Sequence, residues 1–265
     1  FGLARLQEFL RTPVHKRVVF ITRSLRQLVE EQLNSDIPEE EVIIAPDGVD
    51  LERYADLPQP AEARRQLHLP ERFTALYSGS FYHGRGLQTL FELAQKLRDV
   101  QFVWVGGSPE DVEHWNRRLK DGGITNVVLT GFVDNAALPL YQSAADLLLM
   151  PYDLKVAGSS GGDISRVTSP MKLFEYMACG RPILTSDLPV LHEVLNPGNA
   201  VFCPSDDLES WVRAIIALSS DAARRQALAA QALHDVQAYS WRSRMEKIMT
   251  SWNLLDPKVT DEQAF

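Results

Sequence analysis

Short apolar runs alternate with amphipathic stretches along most of the chain. In Gly86–Leu97, for example, leucine and alanine side chains recur every three or four residues, which is the spacing of one helix face. Runs that are apolar almost throughout are typical of parallel strands that are covered on both faces. The predicted strands are Arg17–Thr22, Val42–Pro46, Thr74–Ser78, Gln101–Gly106, Asn126–Thr130, Asp146–Met150, Pro182–Ser186 and Ala200–Cys203.

The alternation predicts an α/β fold with a Rossmann-like, doubly wound parallel sheet over about Leu57–Tyr239. The first two predicted strands, Arg17–Thr22 and Val42–Pro46, have one predicted helix between them in sequence, and a Pro-Asp-Gly turn follows at the end of the second. We therefore interpret residues 1–50 as the tail and hinge of an N-terminal domain. Residues 51–250 are predicted to form a ligand-binding domain, and residues 251–265 a polar tail. Because the chain starts without methionine, we expect it to be a fragment of a longer protein.

Composition narrows the function classes. The 265 residues carry a formal net charge of −8, which argues against a nucleic-acid partner. Cys179 and Cys203 lie in apolar surroundings, which favours buried thiols in a reducing compartment. We therefore expect a cytoplasmic location, because the cytoplasm is a reducing compartment. No apolar run approaches the roughly 18 residues of a membrane span.

The loop after the Thr74–Ser78 strand has the character of an anion site. Glycines at Gly79, Gly84 and Gly86 allow sharp turns and close approach to a ligand, and a helix start follows. Arg85 at that helix start is unfavourable unless an anion is near. A nicotinamide or flavin site is not predicted, because Thr89 stands where a third glycine belongs.

A second loop, the glycine-rich Gly158–Asp163, leads to another helix start. Ser169 is predicted as its N-cap and Pro170 as its first helical residue. Lys172 falls in the first turn, where a cation suggests a bound phosphate, and Glu175 lies one turn further, within reach of sugar hydroxyls. The alternative is an ordinary Lys172–Glu175 surface pair, worth at most about 0.5 kcal/mol.

The stretch KLFEYMACGRPILTSD, residues 172–187, resembles the signature of the retaining GT-B glycosyltransferases of the family 4 type (glycosyl transferases group 1). The resemblance covers about residues 15 to 250. Further segments resemble this family in the same order: Ile44–Asp50, Ser78–Leu87, Trp104–Gly107, Val127–Val133 and Leu140–Asp146.

The resemblance implies a C-terminal GT-B domain that binds a nucleotide-sugar donor, UDP- or GDP-linked, and transfers the sugar to an acceptor hydroxyl. It implies no metal ion and no cofactor beyond the donor substrate. It further implies a carbohydrate or lipid-linked acceptor in polysaccharide or glycoconjugate synthesis. We expect peripheral attachment to the inner membrane face through the missing domain, and no activity of the fragment alone.

The resemblance also assigns residues. Arg85 would hold the donor diphosphate, with Gly79 and Ser80 approaching it, and Phe132 and Val133 would border the base.

At the second loop, Glu175 would bind the ribose, while Pro170, Met171 and Lys172 would face the diphosphate and the donor sugar. Arg85, Lys172 and Glu175 are the predicted catalytic residues.

Two positions depart from the family pattern. Val167 stands where the first of two spaced glutamates usually contacts the donor sugar, and Ser80 replaces a usual arginine. Asp163 or Ser169 is the expected substitute for the lost sugar contact. The departures keep two alternatives open: a sugar-nucleotide epimerase of GT-B fold, and a non-catalytic nucleotide-binding or assembly module.

Overall fold

The computed structural model of the chain describes residues 2–158 and 162–252. The strands are β1 (Val18–Phe20), β2 (Val42–Ile44), β3 (Thr74–Ser78), β4 (Gln101–Val105), β5 (Val127–Gly131), β6 (Leu147–Met150), β7 (Ile183–Ser186) and β8 (Val201–Cys203). The helices are α1 (Gly2–Arg11), α2 (Arg23–Leu33), α3 (Pro60–Gln66), α4 (Leu87–Lys96), α5 (Pro109–Asp121), α6 (Leu138–Ser143), α7 (Met171–Cys179), α8 (Leu208–Ser220), α9 (Ala222–Asp235) and α10 (Trp241–Thr250).

A parallel sheet of six strands dominates the part of the chain that the structure describes. Its order is β5-β4-β3-β6-β7-β8, so the predicted doubly wound sheet is confirmed, as are all the predicted strands. The order reverses between β3 and β6. In sheets of this kind, ligands bind outside the carboxyl ends of the strands at such a switch point.

Alternation along the strands divides the core between the two faces of the sheet. Leu76 and Leu148 pack on the face that α7 covers, together with Phe174. Tyr77 belongs to the other cluster, with Leu90 of α4. Both faces are therefore apolar, which explains why the strands are apolar at nearly every position.

The predicted start of α7 is wrong by one residue. The helix begins at Met171, and Pro170 occupies the N-cap position with φ −75° and ψ 122° and no side-chain cap. Ser169 therefore does not cap this helix, because the extended proline separates it from the first turn. The helix start is left open to a ligand.

Two other predicted helices are shorter than expected. The stretch Asn135–Ala144 becomes a turn followed by α6, because the Asp134 carboxylate accepts the Ala136 N–H at 2.7 Å and closes the turn. The stretch Asp221–Tyr239 becomes α9 followed by a 3-10 segment at Val236–Tyr239. In the predicted glycine-rich loop and polar tail, residues 159–161 and 253–265 lie outside the described residues.

Residues before the main sheet form a small unit in which β1 and β2 pair in parallel, with α2 between them in sequence. The last described helix returns to this unit. Arg244 of α10 donates from Nε to the carbonyl oxygens of Ala45 (3.2 Å) and Pro46 (3.0 Å). Helix α10 belongs to the predicted domain 51–250 but contacts residues of the predicted segment 1–50. The division of the chain at residue 50 therefore stays a prediction.

A carboxylate from the main sheet region caps a helix of the small unit. Glu193 accepts hydrogen bonds from the backbone N–H groups of Arg23 (2.6 Å) and Ser24 (2.9 Å), and from Ser24 Oγ (2.7 Å). Negative charge at a helix start is favourable, because the first N–H groups have no partner within the helix. Glu193 thus joins the two sides of the cleft described below.

Substituting Glu193→Ala should lower the free energy of unfolding by about 1 kcal/mol, the typical value of a lost helix cap. Urea unfolding measures the loss, and hydrogen exchange at the Arg23 and Ser24 amides should accelerate. Glu113→Ala is the matched control, because Glu113 forms only an exposed pair with Arg117 at 3.8 Å. Equal losses in the two variants would contradict the capping role.

Candidate functional site

A cleft of about 640 Å³ opens at the switch point between β3 and β6; we call it the switch-point cleft. Ile21 and Leu25 of the small unit line one side of it. The predicted site residues that line it are Gly79, Ser80, Arg85, Ser169, Pro170, Met171, Lys172 and Glu175.

A second cleft of about 490 Å³, the side cleft, shares Gly79, Ser80 and Leu138 with the first. Phe132 and Val133 line it, and the Phe132 side chain is 84% exposed. An exposed phenylalanine at the wall of a cleft can stack on a planar ring. The two predicted loops and the Phe132–Val133 segment thus line two clefts that share wall residues.

Glycine is required where the loops approach one another. Gly79 has φ 138°, and a Cβ there would stand 2.6 Å from Lys172 Nζ. Gly86 has φ 76°, and a Cβ there would lie 1.6 Å from the Pro151 carbonyl oxygen. The left-handed backbone favours glycine at both positions, and at Gly86 a side chain would also overlap the Pro151 backbone.

Lys172 carries an enclosed ammonium group. Its Nζ is buried and has no hydrogen-bond partner among the described residues. It lies 4.0 Å from the centre of the Tyr77 ring and 5.7 Å from that of Tyr152. Burial, and then the nearby Arg85 charge, lower the pKa of Lys172 to about 7.

Arg85 lies beside this lysine. Its guanidinium donates to Tyr152 Oη at 3.2 Å and to the Ala157 carbonyl at 3.5 Å, while its Nε is buried without a partner in the described residues. Burial raises the pKa of Tyr152 to about 12, so its hydroxyl stays neutral beside the cation. Neutral partners leave the charge of Arg85 available to an anion.

The interpretation of Lys172 and Glu175 as a surface pair is wrong. No hydrogen bond joins them in the described part of the chain, because the Lys172 ammonium packs toward Tyr77 and Gly79 instead. The Glu175 carboxylate accepts a hydrogen bond from Gln142 Nε2 at 3.2 Å, through Oε2. Glu175 is half-buried at the wall of the switch-point cleft.

Of the two expected substitutes for the missing sugar contact, Ser169 lines the cleft together with Val167. The Asp163 carboxylate is exposed and accepts backbone N–H bonds from Val156 (3.0 Å) and Ser165 (2.9 Å). These bonds, above all that from Ser165, lower the pKa of Asp163. Asp163 therefore orders its own loop.

Several residues around the site escaped the sequence reasoning. Tyr77, Tyr152 and Tyr176 surround the cations and the Ser78 backbone, and Gln142 contacts Glu175. The sequence feature that could have indicated this contact is the polar Gln142 on the inward face of a short predicted helix.

The described residues hold no group of three or more His, Cys, Asp or Glu side chains that could bind a metal ion. Their helices are each too short or too polar to cross a membrane.

Comparison with known proteins gives a family match. The model of the family "Glycosyl transferases group 1" matches residues 72–221, which is more than half of the chain. This range contains both predicted loops and α7.

Curated relatives match over much of the chain. A phosphatidyl-myo-inositol mannosyltransferase of Mycolicibacterium smegmatis is 28% identical over 261 residues, covering 93% of this chain and 60% of the relative. An alpha-galactosylglucosyldiacylglycerol synthase of Streptococcus pneumoniae is 25% identical over 213 residues, covering 75% of this chain and 53% of the relative. The chain thus spans between half and two thirds of the length of these relatives.

Solved structures share the fold. Anabaena HepE in complex with UDP superposes with a TM-score of 0.76 at 16% identity, covering 96% of this chain and 68% of HepE. Sucrose-phosphate synthase of Thermosynechococcus elongatus gives a TM-score of 0.75 at 21% identity, covering 96% and 61%. Together with the family match and the doubly wound sheet, these likenesses show that the chain belongs to the group 1 glycosyltransferases of GT-B fold.

Proposed function

We propose that the chain binds a nucleoside-diphosphate sugar, UDP- or GDP-linked, across the two clefts. Transfer to an acceptor hydroxyl then proceeds with retention and without a metal ion, as the family resemblance implies. The diphosphate faces Arg85, Lys172 and the open start of α7. The base enters the side cleft at Phe132 and Val133, and Glu175 binds the ribose.

The main support for the proposal is that the Lys172 ammonium is buried without a hydrogen-bond partner among the described residues. A buried cation without an acceptor is costly, and a second cation beside it adds to that cost. A diphosphate beside Gly79 supplies the missing acceptor for both Lys172 and Arg85. The same charges then stabilise the diphosphate as it leaves the sugar, which is electrostatic catalysis by a preformed site.

A lipid-linked acceptor is favoured by the names of the curated relatives. The Mycolicibacterium enzyme is named for phosphatidyl-myo-inositol and the Streptococcus enzyme for a diacylglycerol glycolipid. We propose that the full-length protein acts on such an acceptor, or on a carbohydrate, while attached peripherally to the inner face of the cell membrane.

Arg85→Ala should weaken UDP or GDP binding about 10-fold to 100-fold, since it removes charge-assisted hydrogen bonds to the diphosphate. Isothermal titration with UDP, GDP and ADP measures the effect. Arg98→Ala removes the same charge from an exposed side chain at the opposite edge of the sheet and should leave affinity unchanged. Failure of the folded full-length protein to bind any of the three nucleotides would refute the proposal.

Lys172→Met should have effects of opposite sign on binding and on stability. Nucleotide affinity falls at least several-fold, whereas the ligand-free protein gains thermal stability, because a buried charge is removed. The Lys172 pKa of about 7 in the folded protein lies below the ordinary lysine value of 10.5, so between these two pH values the unfolded chain binds one more proton than the folded chain. The lysine therefore destabilises most at pH 7 and below, and the gain in Tm should shrink as pH rises toward 10.5.

Lys120→Met, at an exposed position of α5, is the control and should change stability by less than about 0.5 kcal/mol. If Lys172→Met lowers Tm as well as affinity, the ammonium is paired in the free protein and the assignment is wrong.

The epimerase alternative is separated by product analysis. The full-length protein is incubated with UDP- and GDP-sugars, with and without a diacylglycerol-based acceptor. A transferase releases nucleoside diphosphate and glycosylates the acceptor. Conversion of the sugar nucleotide into an epimer without acceptor would contradict the proposed transfer, as would nucleotide binding with neither reaction.

A further inference from the structure

A buried chain of polar side chains leads away from Glu175 toward the hinge. Gln142 on α6 is fully buried, and its Nε2 donates to Glu175 Oε2 and to Ser78 Oγ, both at 3.2 Å. Its Oε1 accepts a hydrogen bond from Tyr54 Oη at 3.0 Å. The Tyr54 side chain is 6% exposed. Each polar atom of the Gln142 amide group therefore has a partner.

The chemistry of the groups fixes the direction of this chain. An ionised carboxylate only accepts hydrogen bonds, so the amide nitrogen of Gln142 must face Glu175. Its oxygen then faces Tyr54, whose hydroxyl must donate. Burial, and then the Glu175 charge, raise the pKa of Tyr54, so the hydroxyl keeps its proton and remains a donor.

Tyr54 occupies a position that links Glu175 to the hinge. It ends the 3-10 segment Leu51–Tyr54, which directly follows the turn that leads out of the small unit. The neighbouring Arg53 donates to the carbonyl oxygen of Asn135, just before α6. The segment is therefore fixed to the element that carries Gln142.

We propose that Gln142, itself held by Tyr54, is a positioning residue that orients the Glu175 carboxylate for the ribose of the donor. One carboxylate oxygen is held by the amide, and among the described residues the other accepts no hydrogen bond, which leaves it for ribose hydroxyls. The inference rests on the proposed function, because it assumes that Glu175 binds ribose.

Ribose discrimination in the full-length protein provides the test. The readout is the ratio of dissociation constants for 2′,3′-dideoxy-UDP and UDP, or the GDP pair if GDP binds more tightly. The variants are Gln142→Leu, Tyr54→Phe, Glu175→Gln and the double variant Gln142→Leu/Glu175→Gln. Gln101→Leu is the matched control, because Gln101 is an equally buried glutamine that donates to two carbonyls at the opposite end of the sheet.

We expect Gln142→Leu to reduce the ratio about threefold to tenfold, the loss that corresponds to one oriented hydrogen bond. Tyr54→Phe, which keeps the ring packing, should reduce it less but in the same direction. The double variant should lose little more than Glu175→Gln alone, since both changes act through one carboxylate. Gln101→Leu should lower Tm and leave the ratio unchanged.

Different results would overturn the proposed function and the positioning role of Gln142. Absence of nucleotide binding by the wild-type protein would overturn the proposed function itself. If Glu175→Gln lowers the ratio but Gln142→Leu and Tyr54→Phe only lower Tm, Gln142 is structural and the positioning inference is wrong. An additive loss in the double variant would also overturn it, because Gln142 would then act by a separate route.

Discussion

Two cations meet at the carboxyl ends of β3 and β6, and no carboxylate of the described residues pairs with either of them. Lys172 Nζ lies against the Tyr77 ring, and Arg85 contacts a neutral hydroxyl and a backbone carbonyl. The glycines of the surrounding loops allow this close packing. The fold tolerates an unfavourable arrangement at this edge because the sheet, with an apolar core on each face, supplies the stability elsewhere.

The polar groups behind the cations differ from them, because nearly all of these groups have hydrogen-bond partners. Tyr176 Oη accepts the Ser78 N–H at 2.8 Å, and Gln142 connects Ser78, Glu175 and Tyr54. Saturated hydrogen bonds make this layer rigid. A rigid layer beneath unneutralised charges is the arrangement expected of a preorganised anion site. On the other side of the cleft, the Glu193 carboxylate accepts the Ser24 N–H and so fixes the start of α2 to the main sheet region.

The sequence predicted the sheet well, because a parallel sheet buried on both faces produces apolar runs that local inspection detects. It placed Arg85, Lys172 and Glu175 at one site, since the carboxyl ends of parallel strands share an edge. The start of α7 was wrong because Ser169 and Pro170 have good capping propensity, and only the packed structure shows the extended proline. Tyr54 and Gln142 are 88 residues apart, and Ser24 and Glu193 are 169 apart. Pairings over such separations leave no local pattern.

We propose above all that the buried Lys172 ammonium has no acceptor in the ligand-free protein and gains one when the diphosphate of the nucleotide binds. Side-chain NMR of Lys172, with ¹³C- and ¹⁵N-labelled lysine and assignment by the Lys172→Met variant, measures its titration directly. We expect a Lys172 pKa near 7 in the ligand-free protein and a rise toward the ordinary lysine value of 10.5 when UDP or GDP is bound. Titration near 10.5 in both states would contradict it, because the ammonium would then be solvated or paired without the ligand.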